Sequence, residues 1–298
     1  MGNRAFHAVV VLLWCSTMGW LIVSKVLPPL MVGEPPTYRS TIQEPEQVLC
    51  WRLEWNGQPV GWSASTVLPG AAGVTEVHSR LMLAQLPLRE MSPFWLRPLL
   101  AQFGAIDMDA RSRVEIDPLG ALSGFSSVVR VGELEQAIRM RGRVEQSSLL
   151  VEVRSGEFSY KKRVDLAPDA LVGNELSPQA EMPNLRLGQS WTMPVYSPFY
   201  PNQPMEILQA TVEQEGMLTW GDEVVKTLIV TYRTDSGAGL AASGKPRSTL
   251  WVARDGRVLQ QETHVFNSQL RFVRMTDEQT RRHLDSLGGD WLERPHSE

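Results

Sequence analysis

Residues 48–57 read VLCWRLEWNG. Leu49, Trp51, Leu53 and Trp55 fall on one side of an extended chain, and Cys50, Arg52 and Glu54 fall on the other. This is the period of two that a half-buried β-strand imposes. Asn56-Gly57 follows directly, and because both residues tolerate positive φ, the pair is the strongest short hairpin signal a sequence carries. A hairpin over about residues 47–68 is therefore expected, with Gly61-Trp62 on its return strand.

Downstream the same alternation recurs. Residues 74–86 read as a strand. Val114 and Ile116 alternate with Arg113, Glu115 and Asp117, and the turn Asp117-Pro118-Leu119-Gly120 leads into Phe125, Ser127, Val129 and Val131. Leu134, Ile138, Met140 and Val144 oppose Glu135, Arg139, Arg141 and Arg143, and Leu149, Val151 and Val153 oppose Glu152 and Arg154. A Ser155-Gly156 turn then precedes Phe158, Tyr160 and Val164. Such a run predicts a meander of antiparallel strands with one face wet. Strands resume over 205–215, 224–232, 248–253, 258–266 and 270–273, with Asp255-Gly256 marking a further hairpin.

Two interruptions stand out. Residues 88–103, LREMSPFWLRPLLAQF, are the best helical candidate, limited to short pieces by Pro93 and Pro98. Residues 165–204 hold seven prolines and bring Trp191, Tyr196, Phe199 and Tyr200 close together. A connection of that length exceeds a turn and is expected to form a covering flap or lid. Thr276-x-x-Gln279 has the spacing of a capping box, so a short terminal helix is expected within 276–298. Together these elements predict a mainly β protein: a single strongly curved antiparallel sheet, a half-barrel of about 10–12 strands, with few short helices. A two-sheet sandwich is the alternative.

The N-terminus differs from all of this. Residues 6–23, FHAVVVLLWCSTMGWLIV, are apolar almost throughout, and eighteen residues of helix extend about 27 Å against a hydrocarbon core of roughly 30 Å. Trp14 before Cys15 disfavours a lipoprotein signal, and no small-residue cleavage site follows Gly19. An uncleaved transmembrane signal anchor over 1–24 is the expectation. A stalk over 25–46 follows, kept extended by Pro28, Pro29, Pro35, Pro36 and Pro45, and then an extracytoplasmic β domain over 47–275. The localisation that follows is the cell membrane, single-pass, with the C-terminal domain outside the cytoplasm.

Composition narrows the function classes. The 298 residues are 43% hydrophobic and 21% charged, with a net charge of −4 and a pI of about 5.8. That balance is the opposite of the basic face a nucleic-acid-binding domain carries. With Cys15 inside the apolar run, Cys50 stands alone and no disulfide framework is possible; a small buried side chain is the expected role for it. Gly239-x-x-x-x-Gly244-Lys245 has the outline of a phosphate-binding loop, but Pro246 replaces its Ser or Thr and a strand follows instead of a helix. Gly124-Phe125-Ser126 lacks the second glycine of a nucleophile elbow. His7, His78, His264, His283 and His296 show no metal-ligand spacing. Acidic pairs such as Asp107/Asp109 and Glu133/Glu135 have the look of solvated strand faces. No cofactor, metal or catalytic residue is expected, and the chain is read as a non-enzyme.

The segment LRLGQSWTMPVY, with Gly188 three residues before Trp191, and the hairpin Trp251-Val-x-x-Asp-Gly-Arg-Val-Leu259 resemble a class of exported bacterial β-rich proteins of unknown function. The resemblance implies an antiparallel half-barrel similar to that of the lipoprotein carriers, over about residues 44–275, and implies no catalytic residues.

Two roles fit these readings. The first is a membrane-anchored extracytoplasmic domain that binds a protein partner or a cell-envelope component, with Trp191, Tyr196, Phe199 and Tyr200 as candidate contact residues. The second is a half-barrel that handles a lipid or another apolar ligand under the 165–204 flap. In either role those four rings either meet a partner or plug the inner face of the sheet. The Lys- and Arg-rich wet side of residues 130–163 is what a solvated sheet presents, or what meets lipid head groups or an anionic polymer.

Overall fold

The computed structural model describes residues 2–22, 47–86, 106–132, 134–165, 171–172, 178–196, 205–234, 246–265, 268–288 and 291. The expected stalk, the helical candidate at 88–103, the glycine-rich loop at 239–245 and the tail beyond 291 lie outside them, as does much of the expected flap.

The hairpin that anchors the reading is present. Strand β1 (Val48–Trp55) turns through Asn56 and Gly57, whose φ values are 47° and 82°, into β2 (Gln58–Pro69). The N-terminal meander continues through β3 (Thr75–Leu86), β4 (Ile106–Ile116), β5 (Leu122–Val131), β6 (Leu134–Glu145), β7 (Ser148–Ser155) and β8 (Phe158–Asp165). The C-terminal half comprises β9 (Leu171–Val172), β10 (Ser190–Tyr196), β11 (Met205–Trp220), β12 (Glu223–Thr234), β13 (Ser248–Ala253), β14 (Val258–Val265) and β15 (Ser268–Arg274). All fifteen belong to one sheet in the order β8-β7-β6-β5-β4-β3-β2-β1-β15-β14-β13-β12-β11-β10-β9. Pairing is antiparallel except between β9 and β10. The sheet is not closed.

Two meanders are thus spliced where the first strand meets the last: Trp51 faces Arg274, Leu53 faces Phe272 and Trp55 faces Leu270. The strand count exceeds the 10–12 expected. Part of the excess lies in the proline-rich stretch, where Ser190–Tyr196 is a strand despite Pro194. A proline is tolerated in a strand where no ladder N–H is needed from it.

The sheet bends back on itself. Tyr196 of β10 belongs to a cluster with Leu122, Phe125, Met140, Leu149, Val151 and Val164 of β5 to β8. Ten strand steps separate β10 from β5 in the sheet order, roughly 48 Å if the sheet were flat. Register shifts at Leu53/Glu54, Glu115/Ile116, Val129/Val131, Val212/Gln214 and Trp251/Val252 supply bulges, which raise local twist and bend strands. The inner face of the curve holds the main core, including Trp51, Leu53, Trp55, Leu81, Leu83, Trp191, Met193, Val230, Tyr232, Leu250 and Phe272.

On the outer face the helix α2 (Asp277–Leu287) lies over β1 and β2. Its capping box forms as the Thr276-x-x-Gln279 spacing implies, each partner bonding the other's backbone N–H. Leu284 and Leu287 pack with Trp62, Cys50 and Ala64, and Trp291 completes the cluster.

One expectation is corrected. The N-terminal run is helical, α1 (Gly2–Leu21), but among the described residues no helix is long and apolar enough to cross a membrane, so the transmembrane helix is not supported. His7, Ser16, Thr17 and Gly19 interrupt its apolar residues, and a spanning helix needs about 20 that are predominantly apolar. Phe6, Leu12, Leu13, Trp14 and Trp20 are exposed on it.

Candidate functional site

Of the four aromatic residues singled out by sequence, Phe199 and Tyr200 lie outside the described residues. Trp191 is 5% exposed and Tyr196 4% exposed. The structure does not bring these two into one patch. Trp191 meets Tyr232 edge-to-face at 6.4 Å in the main cluster, whereas Tyr196 sits in the second cluster. Burial pushes the Tyr196 hydroxyl up to about 12, so it stays neutral and serves as an apolar body with a polar tip.

Of the described part of the 165–204 segment, residues 179–182 pack against this inner face, while 171–172 and 190–196 are strands of the sheet itself. Residues 179–182 are held by Met182 N–H to Gly256 O at 2.7 Å, Val258 N–H to Ala180 O at 3.1 Å, and Gln179 N–H to Gln261 Oε1 at 3.0 Å. Tyr232 donates to Gln179 Oε1 at 3.0 Å, and Met182 is buried in the main cluster. Arg274, 6% exposed, donates to Ala180 O at 3.1 Å. Desolvation lowers the Arg274 guanidinium from its ordinary value, with Arg257 adding to the effect. The indole nitrogens of Trp55 and Trp191 have no hydrogen-bond partner among the described residues.

The outer face of the N-terminal meander is polar and ordered by register. Strand pairing sets Arg80, Arg111, Val128, Arg139 and Arg154 in one row across β3 to β7. The adjacent row runs His78, Arg113, Ser126, Arg141, Glu152 and Lys161. Asp109 gathers the cations at one end: Arg80 grips it with Nε at 3.0 Å and a terminal nitrogen at 2.9 Å, Arg130 reaches it at 3.0 Å and Arg111 at 3.4 Å. Burial alone would raise the Asp109 carboxyl. The hydrogen bonds and charge of Arg80, with Arg111 and Arg130 behind it, hold it below the usual carboxylate range instead. Glu76 takes Arg113 at 2.7 Å and lies 2.9 Å from His78 Nε2.

At the other end of the rows, Arg139, Arg141, Glu152 and Arg154 line a depression of about 230 Å³. Glu152 accepts from Arg154 Nε at 2.7 Å and meets Lys161 at 3.6 Å. Sequence alternation assigns these side chains to the wet face. It does not reveal that Arg139 lies directly opposite Arg154, because that depends on the hairpin register.

His78 and His264 stand on β3 and β14, with β2, β1 and β15 between them, and among the described residues no group of metal-binding side chains assembles.

No family model matches the chain, and no curated protein matches it significantly. Among solved structures it is similar to a crystal structure of a beta-barrel-like protein of the domain of unknown function DUF1849 from Brucella abortus, at 10% identity and a TM-score of 0.47 over 77% of this chain and 95% of that one. Both are β-rich.

Proposed function

We propose that this chain is a non-catalytic half-barrel of the cell envelope, working outside the cytoplasm, that binds a protein partner or envelope component through its outer face. The observation that carries the reading is the packing of the inner face: strand side chains form its buried core together with Met182, and Gln179 and Ala180 are bonded across it, which leaves the charged outer face as the presented surface. The apolar surface of α1 supports attachment at a membrane, since exposed contiguous apolar side chains mark an interaction site.

A photo-crosslinking residue placed at Arg163, whose side chain is 63% exposed on β8, tests this in the native host. A discrete heavier adduct is expected, together with activity of an export-dependent reporter fused after Glu298. A reporter active only in the cytoplasm, or no adduct from any outer-face position, would contradict the reading.

The second reading, a carrier of a lipid or apolar ligand, is favoured by one feature. Trp55 and Trp191 both belong to the main cluster, and their buried indole N–H groups have no partner among the described residues, whereas buried donors are ordinarily satisfied.

A further inference from the structure

We propose that helix α2 is a pH-sensitive latch on the outer face of the sheet, released when His283 takes up a proton and uncovering an apolar patch on β1 and β2. The inference goes beyond the reading of the outer face as a binding surface: it concerns when part of that face is covered, whatever the surface binds.

Three observations converge. The first is the face that α2 turns to the sheet. Thr280, His283, Leu284 and Leu287 are its half-buried residues, at the i, i+3, i+4, i+7 spacing of a helix lying on a surface. Leu284 and Leu287 pack on Cys50 and Ala64, both fully buried, and on Trp62, with Trp291 in the same cluster.

The second is the setting of His283 in the middle of that face. Its ring meets Trp62 edge-to-face with centroids 5.0 Å apart, and its Nε2 is buried without a hydrogen-bond partner among the described residues. Neutral imidazole can leave Nε2 as its proton-free nitrogen, so the enclosed atom costs little. Imidazolium carries N–H on both nitrogens, and the docked position gives Nε2 no acceptor. The ring of Trp62 already carries a cation, since the Arg80 guanidinium lies over it at 5.6 Å. Burial accordingly lowers His283 from its ordinary value.

The charges facing α2 are engaged with one another. On β1, Glu54 pairs with Arg52 and with Arg271 of β15, and the Cys50 thiol bonds Thr280. Strand β2 has no ionisable residue. On β3, Arg80 is gripped by Asp109 of β4, and His78 lies against Glu76. On the helix itself Glu278 pairs with Arg282, and Asp277, Arg281 and Asp285 are exposed.

The third observation is how little else holds the helix. No residue of Asp277–Leu287 is fully buried, and the chain ahead of it is fixed to β1 by Met275 N–H to Cys50 O at 2.9 Å. The helix can therefore swing about Thr276 while the sheet stays paired. Because docking lowers the pKa of His283, it is fullest above the ordinary value of about 6.5. Below that value it weakens by up to about tenfold per pH unit, until the docked value is reached.

The test reads Cys50, which α2 covers. In the full chain carrying Cys15→Ser, labelling by a dipyridyl disulfide, a thiol reagent that keeps its reactivity in acid, is timed at about pH 7.5 and about pH 5.5. Each rate is divided by that of the same chain in denaturant at the same pH, and far-ultraviolet circular dichroism is recorded alongside. Protection of Cys50 is expected at the higher pH and should fall severalfold, up to about tenfold, at the lower, with the sheet signal unchanged. His283→Leu keeps the apolar contact and cannot titrate, so its protection should stay constant within about twofold. His283→Gln, polar but also unable to titrate, should lose protection at both pH values and show no pH dependence. Protection that does not change with pH in the parent chain, an equal fall in His283→Leu, or a fall that accompanies loss of the sheet signal would overturn the latch. The outer-face reading stands apart from these outcomes and falls instead if the inner face carries a bound lipid.

Discussion

Arg274, the last residue of β15, reaches through the inner face of the sheet to the carbonyl of Ala180, 3.1 Å away. A guanidinium only 6% exposed thereby ties the segment that crosses the concavity to the strand that closes the splice between the two meanders. Arg274→Ala is expected to destabilise the domain by about 1–3 kcal/mol, through the lost charged hydrogen bond and lost packing of the stem. Limited proteolysis within 178–189 is expected to accelerate with it. Unchanged denaturant stability and an unchanged digestion pattern would show that the tie is incidental.

Asp109 organises Arg80, Arg111 and Arg130 while 11% of its side chain is exposed. Because its folded pKa is depressed, its contribution is present above the unfolded value of about 3.9 and is lost as pH falls through the folded value. Asp109→Asn is accordingly expected to cost about 1–3 kcal/mol near neutrality, since three arginines lose their shared carboxylate. The difference from the parent chain should shrink below about pH 4. Urea unfolding at pH 7 and pH 3 measures both, and a pH-independent difference would contradict the account.

Trp191→Ala separates the two roles open to this ring. A side chain 5% exposed in the main cluster should cost about 3–5 kcal/mol when truncated, visible as a lower unfolding midpoint. A variant of parental stability that loses only partner binding would show that the ring acts at an interface instead.

Cys50 is fully buried between β1, β2 and α2. Burial pushes its thiol up to about 12, against a hydrogen bond with Thr280 that works the other way, so little thiolate exists at neutral pH. In a Cys15→Ser chain, iodoacetamide should leave the native protein unlabelled and add one equivalent in denaturant. Rapid native labelling would mean that α2 does not cover the strand.

Much of the fold was legible where it is local. Alternation placed the strands, Asn56-Gly57 and Asp255-Gly256 placed two hairpins, and Thr276 with Gln279 placed the start of α2. The splice between β1 and β15 was not, because Leu53 and Phe272 are far apart in sequence and alternation states which residues share a face without naming the neighbouring strand. Arg274 could have been found: Leu270-x-Phe272-x-Arg274 keeps the period of two, which puts the arginine on the core face. The proline count concealed β10, and the apolar composition of residues 6–23 overstated the helix there. The Arg139–Arg154 pairing needed a register that a single slipped residue would have changed.

The central claim, that this sheet fills its inner face with its own residues and binds through its outer one, is tested most directly by native mass spectrometry of the full chain purified under mild conditions, followed by lipid extraction. The account predicts the mass of the polypeptide alone, 33.4 kDa, with no stoichiometric lipid in the extract. A defined additional mass that extracts as one lipid per chain would contradict it, and would assign the indole N–H groups of Trp55 and Trp191 to an occupied apolar cavity.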